Sequence, residues 1–437
     1  HPMLKQGGEW AEVDWQTALE YVANGLRCIQ KEQGAQSIGA LVSPHSTLEE
    51  LYLAGALVRG LGSSNIDHRL RHADFTAPEG VRWLGRSIAS LSTLQSVLVV
   101  GSSLRKDHPL FAQRIRQAAR KGCTVMAIDA VARDWAMPVA QTLLAAPGAW
   151  AHALADVAAV VAQEKGVTAP VNEGRSDNET ARAIALALLS GEHKAVLLGN
   201  AAAHHAQATS LLALANWIGA QTGATVGYLT EAANTVGAQW VDAMPGKGGL
   251  NAAQMLEGGL KGLFLLNNEP VYDSAAGAQA VAALSKVDMV VTLSPFKTNM
   301  EFSDVLLPIA PFTETSGSFV NAEGLLQSFH AVVRPLGETR PAWKVLRVLA
   351  NLMDLPGFDF ETSQDVLSKA TGASAGLVNA VPAERLGNAT QVTPHVATGA
   401  VAEPVVASIY QLDGLVRRAS SLQLTADARL GREGAPA

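Results

Sequence analysis

Only two cysteines occur in the 437 residues, Cys28 and Cys123. Two thiols in one chain hold neither an iron–sulfur cluster nor a four-cysteine zinc site. They also leave no disulfide framework, which fits a reducing compartment. Aromatic residues make up 5% of the chain and charged residues 16%, so the expected interior is aliphatic. Positive charge is not in excess: 33 Lys and Arg against 39 Asp and Glu give a net charge of −6. That balance argues against nucleic acid as a partner. Long apolar runs are missing too. The charge-free stretches 135–155 and 195–230 are interrupted by Pro138, Pro147 and Gly148, or carry His204, His205 and Asn216. Neither supplies the ~20 continuous apolar residues of a membrane-spanning helix. No apolar leader follows His1-Pro2-Met3-Leu4-Lys5, and the His1 start is expected to mark a fragment or a processed product. Hydrophobic residues, in contrast, reach 48%, which excludes intrinsic disorder. The length suggests about two or three domains.

A hairpin-like entry at residues 7–15 precedes a helix over 16–33, in which Leu19, Val22, Ala23, Leu26 and Ile29 recur at helical spacing before Gly34. Apolar strands are then expected at 37–43, 97–101, 124–129, 195–199, 262–267, 287–293 and 305–308. Helices are expected between them at about 46–61, 109–121, 206–218 and 275–285. Ser46-Thr47-Leu48-Glu49 supplies a capping box for the first and Pro109 suits the first turn of the second. This alternation predicts an α/β protein with parallel sheets flanked by helices. Residues 167–178 read as a linker, a boundary falls near Leu355-Pro356-Gly357, and residues 429–437 are expected to be disordered.

Four strands end in loops of small polar residues: Ser43-Pro44-His45-Ser46, Gly101-Ser102-Ser103, Gly199-Asn200-Ala201 and Asn267-Asn268-Glu269-Pro270. Ligands of open α/β sheets bind beyond the carboxyl ends of strands, and such loops cradle phosphates with backbone N–H groups. The same residues also serve as plain turns and caps. No Gly-x-Gly-x-x-Gly and no phosphate-loop lysine motif is present, and Gly246-Lys247-Gly248-Gly249 reads as a flexible loop. His204 and His205 are adjacent and point about 100° apart on a helix, so they do not chelate together. His68 and His72 stand four apart, but no His-Glu-x-x-His acid accompanies them, and no metal is expected. The stretch Asp67–Asp74 reads as a polar surface or partner-facing loop. No Gly-x-Ser-x-Gly nucleophile elbow occurs, and both cysteines read as small buried hydrophobes.

The most specific stretch is Phe302-Ser303-Asp304-Val305-Leu306-Leu307-Pro308, followed by Glu314 to Gln327 with Gly317, Asn321, Glu323 and Gly324 between. From the residues alone it is a strand, a rigid polar loop and a return strand. It closely resembles a signature of the molybdopterin oxidoreductase family. Gly8-Glu9-Trp10, Gly101 with His108-Pro109, Ala233-Asn234-Thr235-Val236-Gly237, Asn267 to Pro270 and Arg340-Pro341-Ala342-Trp343-Lys344 resemble further family segments, in the right order over about residues 1–350. Within the family, Leu41 to Leu53 and Arg59 to Arg71 resemble a non-catalytic branch, the large peripheral-arm subunit of bacterial NADH–quinone oxidoreductase (respiratory complex I).

The resemblance implies two interleaved α/β domains, one of residues 1–85 plus 256–350 and one inserted over 86–255, with a partly disordered extension over 351–437. Catalytic family members carry a Cys, selenocysteine or Ser ligand to molybdenum shortly after the segment that matches Asn65–Arg71; this chain reads Arg71-His72-Ala73-Asp74-Phe75 there. Leu325 and Ser318 also depart from the family's Arg and Thr. The branch therefore implies a structural domain of a complex that transfers electrons from NADH to quinone. No catalytic residue and no bound molybdopterin are expected. Ser43, Gly101, Ser102, Gly199, Asn200, Asn267, Asn268 and Asn321 become vestigial crevice residues. Iron–sulfur clusters are expected in a preceding N-terminal region, other peripheral-arm subunits as partners, and the cytoplasmic side of the inner membrane as the place, without insertion. The alternatives are a catalytic molybdopterin-dependent subunit and a generic nucleotide-binding module.

Overall fold

The strand–helix rhythm resolves into two parallel sheets standing side by side. The computed structural model describes residues 1–374, 376–397 and 399–433. In chain order the strands are β1 (Met3–Gln6), β2 (Glu9–Glu12), β3 (Ile38–Val42), β4 (Asn65–Asp67), β5 (Ser96–Val100), β6 (Thr124–Asp129), β7 (Gln141–Leu144), β8 (Lys194–Leu198), β9 (Thr225–Tyr228), β10 (Gly262–Leu266), β11 (Met289–Ser294), β12 (Val305–Pro308), β13 (Gly317–Val320) and β14 (Leu326–Phe329). A seven-stranded sheet runs β2-β1-β12-β11-β10-β3-β4, and a five-stranded sheet runs β7-β6-β5-β8-β9. The larger thus draws on residues 3–67 and 262–308, the smaller on 96–228. Apart from the antiparallel hairpin edge, β1 with β2 and with β12, every pairing in these two sheets is parallel.

Strands β3, β5, β8 and β10 are buried along their whole length, as continuous apolar runs covered on both faces should be. The larger sheet packs the Trp15–Gln33, Leu48–Gly60 and Ala342–Leu352 helices on one face. Its other face meets Met255, Leu260, Ala280 and Leu284. The smaller sheet is covered by the Trp150–Lys165, Glu179–Leu189 and Ala208–Thr222 helices on one side and Pro109–Ala119 on the other. In each sheet the chain first builds outward from one central strand, then returns to build from that strand's other side. These reversals, β3/β10 and β5/β8, are topological switch points.

Several expectations need correction. The Ala-rich region after β6 holds the Trp150–Lys165 and Glu179–Leu189 helices, with residues 167–178 as the connection between them inside the smaller unit. Both helices are apolar on most sides, so neither a 3.6-residue nor a 2-residue period stands out. Beyond residue 356, Ser363–Thr371, Gly414–Arg418, Ser420–Gln423 and Ala426–Glu433 are helical, and residues 434–437 of the end expected to be disordered lie outside the described residues. Asp67, His68 and Arg69 are buried rather than on a surface, because Asp67 takes both Arg69 Nε (2.9 Å) and Nη2 (3.0 Å) and the Ala252 N–H (3.1 Å). Cys123 is buried, but Cys28 is exposed on the outer face of its helix. Gly246 and Gly249 are fixed against Ser64, where a Cβ on Gly249 would lie 2.2 Å from the Ser64 carbonyl oxygen. Among the described residues no helix is long and apolar enough to cross a membrane.

The C-terminal region follows the seam between the two sheets. Asn388 donates to the Trp83 and Val226 carbonyls, both at 2.9 Å, and Thr390 and His395 donate from their backbone N–H to Asn216 and Ser210. The Gly414–Arg418 helix then lies over the carboxyl ends of β10 and β11.

Candidate functional site: the crevice at the strand ends

Loops after β3 and β8 meet at one cavity, lined by Ser43, His45, Asn200 and His204, and loops after β3 and β10 at another, lined by His45, Asn267 and Asn268. Their contents differ from a cradle for phosphates. In the smaller sheet the two expected loops close on each other. Gly199 donates its N–H to the Val100 carbonyl and Ala201 donates to that of Gly101. A Cβ on Gly199 would meet Ser102 at 2.4 Å, and one on Gly101, whose φ is +62°, would meet the Trp150 ring at 2.6 Å. Gly101, Ser102 and Gly199 are therefore packing residues, and Trp150 occupies the space above the β5/β8 switch point. Asn200 remains at the crevice wall, buried.

In the larger sheet Ser43 donates to the Leu266 carbonyl, Asn267 Nδ2 to Ser46 Oγ (3.0 Å), and Asn268 Nδ2 to the Leu41 and Leu266 carbonyls. The Ser43 backbone N–H and the two asparagine side chains tie β3 to β10. Asn321 is not brought into the crevice: its Oδ1 accepts from the Glu323 and Leu325 N–H groups and so shapes the β13–β14 turn. The family-like Asn234–Gly237 turn has a clear purpose. Asn234 donates to the Ser46 carbonyl and accepts from Val320 N, and only a glycine fits at 237, where a Cβ would sit 2.1 Å from Asn234 Oδ1.

What covers the crevice over β10 is an ion network on two buried carboxylates, Glu269 and Asp273. Glu269 Oε1 accepts from Arg417 Nη2 (3.1 Å) and Arg418 Nη1 (2.7 Å), and Oε2 accepts from Thr298 Oγ1 (2.7 Å). Asp273 accepts from Arg417 Nη1 (2.8 Å) and from Arg71 Nη2 (3.4 Å). Arg417 lies over the Tyr272 ring and Arg418 over Phe296. Gly414 allows the close approach, since a Cβ there would be 2.7 Å from Glu269 Oε1. Burial pushes the Glu269 carboxyl up, but the guanidiniums and Thr298 outweigh it and hold it below its ordinary range. Arg417 is likewise held above its ordinary range by Asp273 and Glu269 against the pull of burial. Sequence reading singled out the Glu269 loop and Arg71 but not Arg417 or Arg418, which lie about 145 residues from Glu269 and Asp273 with no local pattern to link them.

A second cluster sits where both sheets meet. His72 follows β4, His204 follows the short Asn200–Ala203 helix after β8, and Glu231 follows β9. His72 Nε2 is 3.1 Å from Glu231 Oε1, and His204 Nε2 is hydrogen-bonded to Glu231 Oε2. The sequence paired His72 with His68, but His68 turns away to the Ala243 carbonyl (3.0 Å) and His72 meets His204 instead. Burial holds His204 below its ordinary range although Glu231 opposes it. Burial also raises Glu231, but attraction and hydrogen bonds from His204 and His72 prevail and hold it well below the usual carboxylate range.

Molybdopterin is tested against these residues. The 71–75 stretch, where the family resemblance implies a metal ligand, has no thiol, selenol or hydroxyl, and Arg71 there is paired with Asp273. The cavities left in and beside the crevice are about 110, 90 and 20 Å³. Sites for small molecules usually span roughly 300–1,000 Å³. The residues present do not fit the cofactor.

Comparison with known proteins places this crevice in context. The family model described as molybdopterin oxidoreductase matches residues 1–352. A protein of Bacillus subtilis provisionally named an oxidoreductase, YjgC, is 25% identical over 447 aligned positions, covering 85% of this chain and 45% of its own. A Staphylococcus aureus protein provisionally named a formate dehydrogenase is 24% identical, with 86% and 46% covered. The chain thus spans less than half the length of these relatives. Among solved structures, acetylene hydratase from Pelobacter acetylenicus superposes with a TM-score of 0.56 at 14% identity, covering 85% of this chain and 64% of that one, which shows a shared fold.

Proposed function

The chain belongs to the molybdopterin oxidoreductase family, and on that premise we propose that it serves an oxidoreductase as a structural module without a redox centre of its own. The supporting observation is the Arg417–Glu269–Asp273–Arg71 network, built from the chain's own residues where catalytic members need a metal ligand and cofactor space. The finer reading is the large peripheral-arm subunit of an NADH–quinone oxidoreductase, on the strength of the residue runs 41–53 and 59–71. In that setting the module packs against other peripheral-arm subunits on the cytoplasmic side of the inner membrane. Iron–sulfur clusters outside these residues carry the electrons.

A second reading has its own support. The relatives reported above carry oxidoreductase and formate dehydrogenase names, which favours a catalytic molybdopterin-dependent subunit over a respiratory-complex module. The crevice residues favour the first reading; the names favour the second. Purification of the native protein from its membranes separates them. Co-migration with NADH dehydrogenase activity supports the module, whereas formate oxidation by a particle lacking that activity supports the enzyme.

A further inference from the structure

The His72–His204–Glu231 cluster makes no hydrogen bond to the ion network over β10 and has no part in the structural-module reading. Its donor set is two imidazole nitrogens and one carboxylate oxygen, and the three donor atoms lie within 4.8 Å of one another. Tetrahedral zinc sites use this set, with metal–ligand distances of roughly 2.0–2.2 Å. The donors therefore need to move by only about 1 Å to close on one ion. They arrive from three loops, one after β4 of the larger sheet and two after β8 and β9 of the smaller sheet.

The surroundings suit a bound cation. His204 is buried at 2% exposure and its Nδ1 has no hydrogen-bond partner; the neighbouring Asn200 Oδ1 has none either. Both residues line the void of about 20 Å³ that also touches Glu231. One water needs roughly 10–15 Å³, so the void has room for a water as a fourth ligand. The nearby Arg71 is paired with Asp273 and Arg69 with Asp67, so neither competes for Glu231. A purely structural triad would leave two histidines sharing one carboxylate with unpartnered polar atoms beside it.

We propose that His72, His204 and Glu231 bind one divalent transition-metal ion of the zinc class, which clips the loops of the two sheets together at the crevice wall. The proposal rests on the first functional reading, since His72 lies in the 71–75 stretch where a catalytic member would hold molybdenum. The test uses the full chain, stripped with chelator and titrated with Zn²⁺ and with Co²⁺. One ion per chain is expected, with Co²⁺ giving the visible d–d bands of a four-coordinate site and Zn²⁺ raising the melting temperature. Glu231→Gln and His72→Gln, checked for native circular dichroism, should each weaken binding by roughly 100-fold or more, since even outer-shell changes cost 10–100-fold. His72 is partly exposed, so His72→Gln decides the matter if Glu231→Gln does not fold. Failure of the stripped wild-type chain to take up one ion, or an affinity unchanged in His72→Gln, overturns the proposal.

Discussion

Glu50 sits in the first turn of the Leu48–Gly60 helix, where it closes a capping box with Thr47. Its carboxyl is fully buried, and burial raises it from 4.5 to about 7 despite the hydrogen bonds from Thr47. Between those values the folded chain holds a proton that the unfolded chain releases. The stability tied to that proton is complete below pH 4.5 and is lost as pH rises through 7. Glu50→Gln keeps the cap and cannot ionise. Its stability relative to wild type should therefore rise between pH 5 and pH 8, by up to about 3 kcal/mol, in paired urea titrations. A difference that stays flat with pH contradicts the assignment. Arg417 makes the opposite case, a buried charge that others depend on. Arg417→Ala removes one guanidinium from each of Glu269 and Asp273, leaving Arg418 with Thr298 on the first and Arg71 on the second, and should cost about 1–3 kcal/mol by the same measurement, more than a surface ion pair. At this scale the sequence spoke unevenly. Asn267, Asn268 and Asn200 were legible because small polar residues follow apolar strands. Glu231, Asp273 and Arg417 were not, because their roles come from partners far away in the chain.

The elements most readily foreseen are those with one covered face or a full apolar run. Strands β3, β5, β8 and β10 and the Leu48–Gly60 and Pro109–Ala119 helices fall where the pattern puts them. The short edge strands β7 and β9 are only partly buried and carry no clear alternation. The Trp150–Lys165 helix was hidden by its uniform apolarity, and the Gly414–Arg418 helix by its brevity. Both nonetheless decide what the crevice holds, Trp150 over Gly101 and Arg417 over Asp273. Removing residues 404–437 should uncover Glu269, Asp273 and His45 while both sheets and their helices remain, since the apolar clusters draw almost entirely on residues before 397. The shortened chain should unfold cooperatively but bind an apolar fluorescent dye more strongly and be cut faster by protease near the crevice. Loss of cooperative unfolding would show instead that the segment is part of the core.

For the whole molecule, the two-sheet architecture is that of an enzyme family, while the site between the sheets is occupied by the protein's own side chains. Fold and function separate here as they often do, since activity resides in a site rather than in the scaffold. The apolar rhythm and the 302–327 stretch made the family legible. Whether its chemistry persists depends on a three-dimensional crowding that no motif encodes. Metal analysis of the natively purified, intact protein bears on this most directly. The account predicts molybdenum far below one atom per chain and no pterin fluorescence after oxidation. Stoichiometric molybdenum with pterin, bound in the crevice that Arg71 and Arg417 now fill, would contradict it.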